Sequence, residues 1–140
     1  TGRENIYLNG AILGQPRRDM EHKVDRIAAF AELDGFLDAS LRTYSTGMVA
    51  RLGFAVATDV AADILIIDEV LAVGDEAYQR RCLERLDEFR QSGITILLVT
   101  HNSEMIRQMC DRAVWLDGGI VKAVGIVDDV LGRYQSSLVD

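Results

Sequence analysis

Four large aliphatics in succession, Ile64-Leu65-Ile66-Ile67, run straight into two acids, Asp68 and Glu69, near the middle of the chain. An unbroken aliphatic run of this length predicts a strand buried on both faces, as in a parallel sheet. Thr95 to Thr100 repeats the pattern and predicts a second such strand, ending at His101. Between them, positions 76–91 alternate with helical period. Tyr78, Cys82, Leu86 and Phe89 fall on one stripe of a helix that is otherwise largely charged, and Ser92-Gly93 ends it. Beyond His101, Asn102 or Ser103 caps a helix with Met105, Ile106 and Met109 on one side, a stripe that reads as core. Ala113–Leu116 and Ile120–Val124 then flank Asp117-Gly118-Gly119 as a tight hairpin, and Asp128-Asp129 begins a last helix ending near Gln135.

The first 43 residues carry helical rather than strand periodicity. Thr1 and Glu4 form a T-x-x-E capping box, which starts a helix at the first residue. Leu8 and Ile12 share one face of it, and Gly14 can close it. Pro16 marks a restart, and Asp19 can cap a second helix whose face is Met20, Val24, Ile27, Ala28 and Ala31. Gly35 interrupts that helix before the apolar pair Phe36-Leu37. Ser45 then precedes a helix through about Asp59, with Leu52, Ala55 and Val56 inward.

Two of these positions invite chemistry. Ligands of open α/β sheets gather at the carboxyl ends of the strands, where Asp68 and Glu69 stand. Two acids at that edge suit a metal-dependent phosphate reaction, although acids also end strands simply by being solvated. The helix after Ser45 offers unpaired N–H groups and a positive dipole end to an anion, and Gly47 permits close backbone approach to a phosphate. A Ser in that position is by default an ordinary N-cap.

The order Tyr44-Ser45-Thr46-Gly47-Met48, Ile64 to Glu69, Val73-Gly74-Asp75 and His101 resembles the second half of an ABC-type ATPase nucleotide-binding domain. Ser45-Thr46-Gly47 stands where that family has its LSGGQ signature. Ile64 to Glu69 looks like the Walker B strand with its glutamate, Val73-Gly74-Asp75 like the D-loop, and His101 like the switch histidine. The stretches Thr1-Gly2-Arg3-Glu4-Asn5-Ile6, Tyr44 to Met48 and Asp68 to Asp75 are similar to the ATPase subunits of polysaccharide, O-antigen and teichoic-acid exporters. The resemblance implies an α/β fold: the distal half of a P-loop NTPase core, with parallel strands flanked by helices, plus an α-helical subdomain. Residues 1–43 would be that subdomain and residues 44–140 the distal ATPase core. It implies ATP and Mg²⁺ as ligands. Asp68 would hold Mg²⁺ through water, Glu69 would orient or deprotonate the attacking water, and His101 would contact the γ-phosphate. Ser45, Thr46, Gly47 and Met48 would meet the ATP of an opposite subunit, and Asp75 would lie at the dimer interface. Thr46 and Met48 depart from the signature's glycine and glutamine, as in the polysaccharide-exporter branch, and remove one polar contact to nucleotide. The partners implied are a second copy of the subunit, in an ATP-dependent homodimer, and a transmembrane permease. The place implied is the inner face of the cell membrane, as a peripheral cytoplasmic protein.

One part of an ATP site is not in the sequence. The phosphate-cradling G-x-x-x-x-G-K-[ST] loop needs a Gly-Lys step, and no glycine here is followed by lysine. The chain therefore reads as a fragment, inactive by itself, of an ATP hydrolase. Composition narrows the rest. The net charge of −7 argues against a nucleic-acid partner, which needs a basic footprint. No apolar run approaches the roughly 18 residues of a membrane span. With 49% hydrophobic residues the 140-residue chain can build a core of single-domain size. Cys82 and Cys110 are isolated and read as buried small hydrophobes in a reducing compartment. Two other readings stand beside the exporter ATPase. A cytosolic ABC protein acting on nucleic acid or ribosomes is disfavoured by the acidic balance. A non-catalytic module that kept the fold is disfavoured by the intact Asp68, Glu69 and His101.

Overall fold

In the computed structural model, which describes residues 1–69 and 74–138, the chain opens with α1 (Gly2–Ile12). Its capping box forms as the sequence predicts: Thr1 accepts from the Glu4 N–H while the Glu4 side chain reaches back to the cap backbone. The buried face differs from the expected one. Leu8 and Ile12 are exposed, and Gly2, Ile6 and Gly10 face inward instead. Two glycines on that face let neighbouring segments approach where a leucine would hold them off: a Cβ on Gly2 would meet the Tyr44 hydroxyl, and one on Gly10 the Met20 side chain.

The single helix expected from Asp19 is two short ones, α2 (Arg17–Glu21) and α3 (Val24–Ala31), bent at His22-Lys23. Pro16, extended at φ −60° and ψ 142°, starts α2, so Asp19 lies inside the helix and caps nothing. The predicted face survives the bend, with Met20, Val24, Ile27, Ala28 and Ala31 all buried. Glu32 ends α3 in the left-handed conformation at φ 58°. Leu33 and Leu37 turn inward and Phe36 outward, and the Tyr44 hydroxyl donates to the Phe36 carbonyl at 2.7 Å. The helix α4 (Thr46–Ala57) follows a one-turn 3-10 segment, Leu41–Thr43. Its Leu52, Ala55 and Val56 join Ile6 and the α2–α3 face in one core. Arg26 fastens the far end of α4 to α3 by a double hydrogen bond to Asp59, both at 2.7 Å.

Next come β1 (Ile64–Asp68), α5 (Glu76–Gln91) and β2 (Thr95–Val99). Asp75 caps α5 by accepting from Tyr78 N–H, and Gly93 at φ 88° leads the chain out of it. Tyr78, Cys82 and Leu86 are buried as the stripe predicts, and Phe89 is half-buried. β1 and β2 pair in parallel: Thr95 N–H donates to Asp63 O at 3.1 Å and Glu69 N–H to Val99 O at 3.0 Å. The expectation of burial on both faces fails. Ile67 is buried, but Ile64 and Ile66 are exposed, as are Leu97 and Val99 at alternate positions of β2. The physical reason is that a parallel pair is dry on both sides only where helices cover both sides. Among the described residues only one side of this pair is covered.

Contacts divide the chain into two units: Thr1–Leu65 with Val70–Thr95, and Ile66–Glu69 with Ile96–Asp140. The second contains α6 (Ser103–Met109), β3 (Arg112–Asp117), β4 (Ile120–Ile126) and α7 (Val127–Ser137). The hairpin β3–β4 turns at Gly118-Gly119, both at positive φ (55° and 77°), the backbone a two-residue turn of primed type requires. A bulge falls between Trp115 and Leu116. One hairpin face packs on α7, where Trp115 meets Tyr134 edge-on at 5.8 Å; the other leaves Val114, Leu116, Val124 and Ile126 exposed. Asn102 caps α6, whose Met105, Ile106 and Met109 are half-buried rather than core. α7 starts one residue before Asp128-Asp129, which lie in its first turn and complement its dipole, and it runs two residues past Gln135.

Candidate functional site

Glu69 and His101 come together at the carboxyl ends of β1 and β2. Glu69 follows the last residue of β1 in a left-handed backbone at φ 50°, a conformation uncommon outside glycine and found disproportionately at functional sites. Its N–H is tied to Val99 O, so the turn is held by the ladder itself. His101 follows β2 and precedes the cap of α6, and its Nδ1 lies 2.8 Å from Glu69 Oε1. With Glu69 as a carboxylate, Nδ1 donates and Nε2 is left for another partner. Both side chains are largely exposed, at 60% for Glu69 and 84% for His101, so the pair is reachable from solvent. The strand-plus-cap pattern therefore does deliver an acid and an imidazole to one edge.

Asp68, the last residue of β1, is exposed and makes no ion pair among the described residues. An accessible single carboxylate suits a hard cation that keeps most of its shell as water and phosphate oxygen. No cluster of three or more metal-ligating side chains occurs among the described residues.

Ser45, Thr46, Gly47 and Met48 lie in the first unit, where Ser45 caps α4 by accepting from Met48 N–H at 3.1 Å. Thr46 and Gly47 are the first two residues of that helix, and a Cβ at Gly47 would meet nothing nearer than Ser45 Oγ at 3.7 Å. The N-terminal turn is thus open for a ligand. In the D-loop stretch, Val73 lies outside the described residues; Gly74 and Asp75 belong to the first unit with Ser45. The Asp75 carboxyl is held below the usual range by the Tyr78 N–H and by Arg51.

Sequence reasoning missed Arg51. It is the only charged residue in α4, T-G-M-V-A-R-L-G-F-A-V-A, and it pairs with both Glu32 and Asp75. A lone charge in an otherwise apolar helix was the available signal.

Sequence and fold together define the class: the chain has the fold of the distal part of an ABC-type ATP-binding subunit. A solved ATP binding subunit of an ABC transporter superposes at a TM-score of 0.82, with 27% identity, over 96% of this chain and 56% of that one. More particularly, the homologues are export proteins. The chain is 44% identical over 99% of its length to the O-antigen export system ATP-binding protein RfbB of Klebsiella pneumoniae. It is 37% identical, again over 99%, to the teichoic acids export ATP-binding protein TagH of Bacillus cereus. It spans 56% of the first relative and 25% of the second. No family model matches the chain. No helix among the described residues is long and apolar enough to cross a membrane.

Proposed function

We propose that the intact protein hydrolyses ATP to power export of a cell-surface polysaccharide or teichoic acid, as a cytoplasmic subunit bound to a transmembrane permease. The observation that carries this reading is the Glu69–His101 pair, 2.8 Å apart, with Glu69 locked at positive φ beside Asp68. Residues 1–43 form the helical subdomain and residues 44–140 the distal ATPase core. Glu69 takes a proton from, or orients, the attacking water. His101 holds the Glu69 carboxylate through Nδ1 and presents Nε2 to the γ-phosphate. Asp68 would hold Mg²⁺ through water, and the ion would supply neutralisation of the charge that develops on the phosphates. Two subunits close on ATP, so that Ser45, Thr46, Gly47 and Met48 of one meet the nucleotide of the other, with Asp75 at their interface. The open helix N-terminus at Ser45 supports that contact through its dipole and N–H groups.

The test is phosphate release by the full-length protein. Glu69→Gln keeps the shape of the side chain and removes its basicity. It is expected to leave ATP binding intact while lowering turnover about 100-fold or more, the usual size of an acid-base contribution. His101→Ala is expected to act in the same direction. Turnover equal to wild type in Glu69→Gln overturns the assignment of the base.

A further inference from the structure

The Arg51 side chain, only 18% exposed, meets groups from three other segments of the first unit. Its Nη1 donates to the Glu32 carboxylate just past the end of α3, its Nη2 reaches Asp75 Oδ2 at 3.5 Å, and its guanidinium lies 4.6 Å over the Tyr78 ring. Tyr78 completes the circuit. Its hydroxyl donates to the Arg51 carbonyl at 3.2 Å, and its backbone N–H donates to Asp75 Oδ1 at 2.9 Å. Gly74, at φ +86°, is pressed between the two: a Cβ there would stand 3.1 Å from both Arg51 Nε and Tyr78 Cβ. Glu32 is held in turn by Arg81 Nη1 at 2.7 Å. Both oxygens of Asp75 are therefore engaged inside its own subunit.

We infer that Arg51 is a positioning residue that fastens the Gly74-Asp75 turn to the helix beginning at Ser45, so that the two move as one body. The inference rests on the proposed function, because it matters only if Ser45–Gly47 meets a phosphate. Arg51 lies six residues after Ser45, less than two turns of helix, roughly 9 Å along the axis. A displacement imposed at the helix N-terminus thus passes through a short rigid lever to Arg51, and from Arg51 by charge and ring stacking to the turn. Arg51 acts through Asp75.

The alternative is a staple that only joins α3, α4 and α5. Phosphate release by the full-length protein separates the two, measured against ATP concentration for wild type, Arg51→Met, Asp75→Asn and the double variant. Asn caps helices as well as Asp does, so Asp75→Asn keeps the Tyr78 hydrogen bond and removes the charge facing Arg51. Each single variant is expected to lower kcat about five- to tenfold, the low end of typical coupling between sites, with half-saturating ATP changed by less than about twofold. The double variant is expected to be no slower than the slower single, because both break one link. Wild-type kcat in Arg51→Met, or losses that multiply in the double variant, overturns the inference. Should Arg51→Met fail to fold, Asp75→Asn decides alone, and a wild-type kcat there overturns it. A wild-type protein that binds ATP but releases no phosphate overturns the functional reading first, and is distinguishable from all of these.

Discussion

At the scale of single residues, position in the backbone matters as much as chemical type. Glu69 combines an exposed acidic side chain with a left-handed φ of 50°, and its N–H donates to Val99 O. Cys82 shows the opposite case, chemistry suppressed by place. Burial pushes its thiol up to about 11, from an ordinary value of 9, and burial pushes the neighbouring Tyr78 hydroxyl up as well. A group whose pKa is raised by folding contributes stability that is complete below its unfolded pKa. For Cys82 that contribution is present below about pH 9 and is lost as pH climbs from there toward 11. Two outcomes are expected at neutral pH and above. Iodoacetamide at pH 8 should modify Cys82 far more slowly in the native protein than in denaturant, as mass spectrometry of the digested protein would reveal. Melting temperature should fall between pH 9 and 11; rapid native alkylation would mean that Cys82 is not enclosed.

At the scale of elements, caps and dipoles account for most of what the helices do. Thr1, Ser45, Asp75 and Asn102 each cap a helix through a side-chain oxygen. The caps at Thr1, Ser45 and Asn102 are read from the sequence, since the signal is local: a small acceptor followed by helical period; the Asp75 cap emerges only in the structure. The Ser45 helix keeps an open N-terminal turn, where a Cβ at Gly47 would meet nothing nearer than Ser45 Oγ at 3.7 Å. If that turn meets the γ-phosphate of an opposite subunit, Gly47→Asp sets a side chain and a negative charge against the phosphate. The full-length variant is expected to bind ATP as a monomer and to fail to dimerise, with light scattering as the measurement. Normal ATP-dependent dimers in the variant would rule out that contact. Asp19 and the Leu8–Ile12 stripe show where local reading stops. Pro16 reset the helix start three residues early, and the face of α1 was chosen by Gly2 and Gly10, which allow close approach but contribute no hydrophobic signal.

At the scale of the whole molecule, the unevenness of burial stands out. The first unit encloses a continuous core from Ile6 through Val56. The parallel pair and the hairpin, by contrast, show one uncovered apolar side each, with Ile66, Leu97, Val114 and Val124 all more than half exposed. Apolar strand faces in water favour association. Nothing in the sequence supplies the Gly-Lys cradle that binds polyphosphate in P-loop proteins. Asp68 and Glu69 leave the strand ends acidic, and one exposed helix dipole is worth only about 0.3–1 kcal/mol, too little to offset that loss. The 140-residue chain by itself is therefore expected to show no measurable binding of Mg-ATP in titration calorimetry. Micromolar affinity would mean that the site is complete within these residues.

The sequence by itself determined what depends on neighbours along the chain. That includes the two aliphatic strands, the Gly-Gly hairpin, the caps at Thr1, Ser45 and Asn102 and the buried stripe of α5, because each rests on periodicity or on a turn preference a few residues long. It also placed Glu69 and His101 at strand ends, where a pair of parallel strands brings them to the same edge. Only the tertiary structure decided which face of α1 is buried, that β1 and β2 are covered on one side, and that Arg51 joins Glu32, Asp75 and Tyr78. The Arg51 cluster depends on residues 19 to 27 positions apart meeting in space, and the face of α1 on the packing of glycines that carry no signal of their own. No local pattern encodes such a meeting, because its stabilisation appears only once the separate elements have closed on one another.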